Sequence, residues 1–234
     1  MTDSTNPTDA TSRSPGDDEQ GTEETSWRHL PEADPIAVRD PLAELLGMVP
    51  AGEPLVITFP EVAKAAGHAC PAVAGAYRGA QLALDELYDD AYPVRSEIRV
   101  AVGGAPDAPG FGPMAEVVRH VTGAADETGF AGFGGYGGRD GLLTFDPAIA
   151  GDRGRAFVFS RTDRDRSVRV TFDPGAVGDD PSDGPDPSAV LAKLVGGAAS
   201  DDERKRFLAA WNGRVRSILH SVPGPESPFT LLAE

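Results

Sequence analysis

The chain has 234 residues and a formal net charge of −16, from 37 acidic and 21 basic side chains. That length suffices for one good core or two small ones, and the charge argues against general nucleic-acid binding, because no basic stripe is present to displace counterions from phosphates. No apolar run is long enough to span a membrane, and no basic-then-apolar leader opens the sequence.

Positive charge is mostly arginine, with Lys64, Lys193 and Lys205 the only lysines. The one cysteine, Cys70, cannot form an internal disulfide or a four-thiolate zinc site. These features fit a reducing, cytoplasmic, salt-loaded setting, where carboxylate excess maintains solubility and salt screens self-repulsion.

Residues 1–34 carry nine carboxylates against Arg13 and Arg28 and read as an acidic tail, too poor in apolar surface to offset its ordering entropy. Residues 35–222 read as one domain and residues 223–234 as a C-terminal tail. Within the domain, Asp40-Pro41 is an N-cap and first-turn pair, and Leu42, Leu45 and Leu46 predict a short helix stopping at Gly47. Residues 55–59 predict a short strand, and residues 60–66 a helical turn that ends at Gly67.

Then comes Gly67-His68-Ala69-Cys70-Pro71, followed by Val73, Tyr77, Ala80, Leu84, Leu87 and Tyr88 at three- and four-residue spacing. This is an amphipathic helix with Pro71 at its first position and Cys70 as its N-cap. A thiol there lies at the positive end of the helix dipole, which favours thiolate. With His68 two residues away, it has the parts of a nucleophilic or redox thiol. The plainer alternative is a small helix cap beside a histidine paired with backbone.

Residues 96–102 alternate as a half-buried strand, 103–113 form a Gly/Pro-rich loop, and Met114, Val117, Val118 and Val121 mark a helix ending near Thr122-Gly123. Residues 129–141 contain seven glycines with Phe130, Phe133 and Tyr136 interleaved. They read as a mobile loop: plain spacer, or a lid over His68 and Cys70 tipped by Phe133 and Tyr136. Residues 142–145, 155–161 and 167–172 predict three strands, the last two joined by a charged hairpin turn. After an acidic linker, Asp186-Pro187 starts one helix, and a Ser200/Glu203 capping box starts the last, with Phe207, Trp211, Val215 and Ile218 facing inward. Helices and antiparallel-looking strands without regular βαβ alternation define an α+β domain.

From about residue 40 to 222 the chain resembles the FmdE family, domains named for a component of formylmethanofuran dehydrogenase. The resemblance is carried by Gly67-His68-Ala69-Cys70-Pro71 running into Ala76-Tyr77-Arg78-Gly79-Ala80, with Val121-Thr122-Gly123, Gly154-Arg155-Ala156-Phe157, Val168-Arg169-Val170 and a final helix through Arg214, Ile218 and Leu219 as further matches. It implies an α+β core that binds a metal, often zinc, beside the His-x-Cys loop, with contacts at His68 and Cys70. It also implies an accessory protein linked to a molybdenum or tungsten oxidoreductase system. The family's first histidine corresponds to Ala66 here, a cysteine to Pro113, an aspartate to Glu116, and the cysteine after Thr-Gly to Ala124.

Two ligands do not hold zinc, so His120, Asp126 and Glu127 are the candidates to complete the shell. Tyr77 and Arg78 are candidates for contacting a small ligand at the site, Arg78 through an anionic group, with a surface ion pair as its plainer role. Three readings follow: a metal- or small-ligand-binding accessory domain, a hydrolase or transferase using metal-bound water with Asp126 or Glu127 as base, and a binding module without metal. Exposed apolar helix faces would also suit a homodimer.

Overall fold

The helix that starts at Cys70 is the axis of the fold. This computed structural model describes residues 30–89, 91–150, 154–177 and 187–234. The acidic tail up to residue 29 and the Asp186 helix cap lie outside those residues. Two short strands come first: β1 (Ile36–Val38) pairs antiparallel with β2 (Leu55–Ile57), and α1 (Pro41–Leu45) lies between them in sequence. Next come α2 (Phe59–Ala65) and α3 (Pro71–Leu87), then β3 (Ile98–Val102), α4 (Phe111–Thr122) and β4 (Leu143–Phe145). The hairpin β5 (Arg155–Arg161) and β6 (Ser167–Phe172), the helices α5 (Pro187–Val195) and α6 (Asp201–Leu219), and β7 (Phe229–Ala233) complete the order.

The main sheet has five strands in the order β4-β3-β5-β6-β7. Its inward row of Val100, Phe157, Phe159, Val168, Val170 and Phe172 is buried, and α3 packs across β5, β6 and β7 on that side. The helix carries small residues toward the sheet: an added Cβ at Gly79 would meet Val170 at 3.5 Å, and one at Gly75 would overlap the Phe172 ring. Helix α4 packs beside α3 and against β3, and α6 packs on α3. The protein is α+β.

Two features depart from the sequence-based expectation. The pair β3–β4 is parallel, with Val100 opposite Leu143 and Val102 opposite Phe145, whereas the other sheet pairs are antiparallel. Helix α4 is the crossover that a parallel pair requires, so one βαβ unit is embedded in an otherwise antiparallel sheet. The second departure is residues 223–234, expected as a tail. Their last part is β7, which forms the edge of the sheet, with Phe229 fully buried opposite Phe172.

The glycine-rich segment is a pinned hairpin. Phe133 and Tyr136 exchange both backbone hydrogen bonds, at 3.0 and 3.1 Å, around Gly134-Gly135, whose φ angles of 61° and 87° suit the mirror-image turn that glycine pairs favour. Beyond it, the Arg139 guanidinium donates to Asp40 at 2.6 Å. These bonds tie the turn to itself and its far end to the body.

Candidate functional site

The chemistry-bearing residues are positioned by two helix ends. Helix α2 starts at Thr58, whose amide and hydroxyl donate to the Glu61 carboxylate at 2.7 and 2.8 Å. It ends at Ala65, and Gly67, at φ 77°, turns the chain outward to His68. The backbone then enters α3 through Cys70 and Pro71. The loop between is anchored from across the molecule, because the Trp211 indole of α6 donates to the Ala69 carbonyl at 2.8 Å.

Helix α4 supplies the opposite wall. Pro113, Glu116, Val117 and His120 recur at three- and four-residue spacing, so they share one face. That face and the α2 end enclose a groove of about 370 Å³, lined by Val62, Ala65, Ala66, His68, Pro113, Glu116, Val117, Arg119 and His120. The walls are mainly apolar, with the two imidazoles and Glu116 as polar points. The size lies toward the lower end of small-molecule sites.

The two histidines are held differently. His68 is exposed, and its Nδ1 lies 3.0 Å from the Ala66 carbonyl. A carbonyl only accepts, so Nδ1 carries the proton in this contact and Nε2 is left as an acceptor or ligand nitrogen. His120 sits in the last turn of α4, where Arg95 donates to its backbone carbonyl. Burial, and then the charge of Arg95, hold the His120 imidazole below its ordinary pKa against the opposing pull of Glu61. It is therefore neutral near pH 7.

The other predicted site residues are elsewhere. Cys70 caps α3 as the sequence indicates, its sulfur accepting the Val73 amide at 3.5 Å, and it does not line the groove. Tyr77 is fully buried, with its hydroxyl 3.0 Å from both the Asp34 and the Ile57 carbonyl and its ring edge-on to Phe59. Burial raises its pKa, and its position is that of a core anchor tying β1 and β2 to α3. Arg78 donates to the Ser221 carbonyl at 3.1 Å and to the Gln81 side chain, which fixes the end of α6 to α3.

Asp126 and Glu127 follow the turn at Gly123, which directs the chain away from the groove. Asp126 accepts from the Thr128 hydroxyl and amide at 2.6 and 2.9 Å and pairs with Arg119 at 3.0 Å. The Thr128 bonds, then Arg119, hold its carboxyl below the usual range. Glu127 is exposed. Tyr136 lines a separate pocket of about 410 Å³ with Arg39, Pro41, Val94, Ser96 and Glu97. Ala124, where the resemblance sets a cysteine, is fully buried.

Among the described residues, no group of three or more His, Cys, Asp or Glu side chains is arranged to hold a metal ion. His68 and His120 share the groove, while Cys70, Asp126 and Glu127 stand outside it. The groove residues that neither the sequence pattern nor the resemblance marks are Arg119 and the apolar Val62, Ala65 and Val117, while Glu116 is marked only as the position of a family aspartate. For Glu116 and Val117 a signal exists, in their i+3 and i+4 spacing from Pro113 and their alignment with His120 one turn on.

The thiol's role has a direct check. Oxygen is the better acceptor for a cap, so Cys70→Ser is expected to leave stability unchanged or raise it by about 0.5 kcal/mol. Urea denaturation measures this, and a loss above about 1 kcal/mol would show that the thiol does more than cap. No protein-family model matches the chain, and no curated protein matches it.

Proposed function

We propose that this protein is a small-ligand-binding module whose ligand occupies the groove between α2 and α4. The observation that carries the reading is the shared wall: apolar residues from both helices, with His68 and His120 lining one cavity of about 370 Å³. The groove also includes Ala66, Pro113 and Glu116, the positions that the resemblance aligns with metal-binding-type side chains. The substitutions remove two such donors and leave apolar wall in their place, which favours an organic ligand over a bare ion.

The test uses the ring proton resonances of the histidines with a panel of aromatic fragments. Fragments that bind should shift the His68 and His120 signals and leave His220 unmoved. Ala65→Phe, which fills the groove from the exposed end of α2, should abolish those shifts without unfolding the chain. Fragments bound equally well by wild type and Ala65→Phe would move the site elsewhere.

His68 supports a second reading. A ring nitrogen anchored to a carbonyl, with the other left open, is the outer-shell arrangement that orients metal-binding histidines. Nε2 of His68 and a nitrogen of His120 would be two protein ligands, one fewer than a catalytic zinc site uses, so zinc would be held here only together with a donor atom of the bound molecule. Metal analysis of protein made in zinc-replete medium decides: stoichiometric zinc lost in His68→Ala and retained in Cys70→Ala supports this reading, and metal-free wild type overturns it.

A further inference from the structure

We propose that the ligand of the α2–α4 groove is a small organic cation, a protonated amine on a compact apolar body. The inference rests on the small-ligand reading of that groove and adds the ligand's chemistry.

Two lining side chains, Glu116 and His68, offer acceptor atoms that no described residue of the protein uses. The Glu116 carboxylate is exposed on the α4 wall and has no hydrogen bond or ion pair among the described residues. His68 directs its Nδ1 proton to Ala66, which leaves Nε2 an acceptor. The one permanent cation of the lining, Arg119, already shares its charge with a carboxylate, its Nη2 lying 3.0 Å from Asp126. The nearby Arg95 is likewise bound to Asp40 and to the His120 carbonyl.

Helix polarity acts in the same direction. Ala65 and Ala66 close the C-terminal end of α2, and His120 stands in the last turn of α4. The α2 end carries partial negative charge, which attracts cations, whereas at α4 the groove runs from the first turn at Pro113 to the last, where Arg95 already meets the His120 carbonyl. An ammonium group would meet Glu116 and the Nε2 of His68 as acceptors, while its apolar body would cover Val62, Ala65 and Val117. A carboxylate ligand in the same place would face Glu116, beside an Arg119 whose charge is shared with Asp126.

Three isosteric probes separate the possibilities: benzylamine, benzyl alcohol and benzoate, titrated calorimetrically into wild type, Glu116→Gln and Glu53→Gln. The last removes one exposed carboxylate away from the groove and controls for the overall negative charge. The expected result is one benzylamine site, about tenfold tighter than benzyl alcohol, with benzoate weakest. Glu116→Gln should bring benzylamine down to the level of the alcohol, and Glu53→Gln should leave it unchanged. Benzoate or benzyl alcohol binding as tightly as benzylamine, or equal effects of the two variants, overturns the cation assignment and leaves the groove reading intact. No binding of any of the three overturns both.

Discussion

Asp40→Asn is expected to destabilise the protein by about 3 kcal/mol, the lower end of the range for removing one partner of a buried ion pair. Asp40 is 4% exposed and accepts from the Leu42 and Ala43 amides as the cap of α1. The same carboxylate receives Arg95 at 3.0 Å and Arg139 at 2.6 Å. Asparagine caps a helix as well as aspartate does, so the variant isolates the charge. What it leaves is two guanidinium groups facing one another. Arg95 already shows the strain: its pKa is lowered, by burial first and then by the charge of Arg139. Urea denaturation at pH 7 measures the loss, and a change under about 1 kcal/mol would place the pair among weak surface bridges.

The same group sets a pH dependence whose sign follows from its surroundings. Burial alone would raise the Asp40 pKa, but Arg139, the Ala43 amide and Arg95 together outweigh it, and the carboxyl is held below its usual value. A depressed folded-state pKa means that the stabilisation is complete above the unfolded-state value of about 3.9 and fades as pH falls through the folded-state value. The stability gap between wild type and Asp40→Asn should therefore be constant near neutrality and close in acid. Because Arg95 also donates to the His120 carbonyl, the variant loosens the α4 end of the groove, and fragment binding should weaken with it.

How much of this is legible in the sequence differs by element. Helix α3 is plain, because Cys70-Pro71 supplies a local start and the apolar residues repeat at helical spacing. The strand β7 is not: Phe229 is buried, but Leu232 and Ala233 are exposed, so the segment lacks a clean alternation and becomes a strand only by pairing with β6. The parallel placement of β4 is hidden for a related reason, since its partner is chosen by the α4 crossover and nothing within residues 143–145 encodes it. In the site, His68 and His120 converge because each sits at a helix end whose stop signal, Gly67 or Gly123, is local. Tyr77 resembles a ligand contact in the sequence because it follows Cys70 by about two turns of helix; the Asp34 and Ile57 carbonyls that its hydroxyl meets come from distant chain. The glycine-rich segment suggests mobility by composition, and its pinning depends on Asp40, about a hundred residues away.

The second large effect is expected from Gly75, where α3 crosses β6. A Cβ built there would lie 2.3–2.6 Å from three atoms of the Phe172 ring. The ring has little room to yield, being 1% exposed and stacked on Phe229 with centroids 5.0 Å apart. In Gly75→Ala, overpacking of about 1–3 kcal/mol opposes a helix-propensity gain of about 1 kcal/mol, so a modest loss is expected. Gly75→Val adds two methyl groups and a β-branch, and should cost about 3 kcal/mol or more. The displaced Phe172 would push on Phe229, so the amides of β7 should lose hydrogen-exchange protection first. Gly79 is the control one turn on: its Cβ would make ordinary contacts with Val170 and Phe229 at 3.5 and 3.7 Å, so Gly79→Ala should stabilise the fold by about 0.5–1 kcal/mol. Opposite signs for two Gly→Ala changes four residues apart on one helix would place the closest helix–sheet approach at Gly75. Equal effects at both sites would sink that assignment.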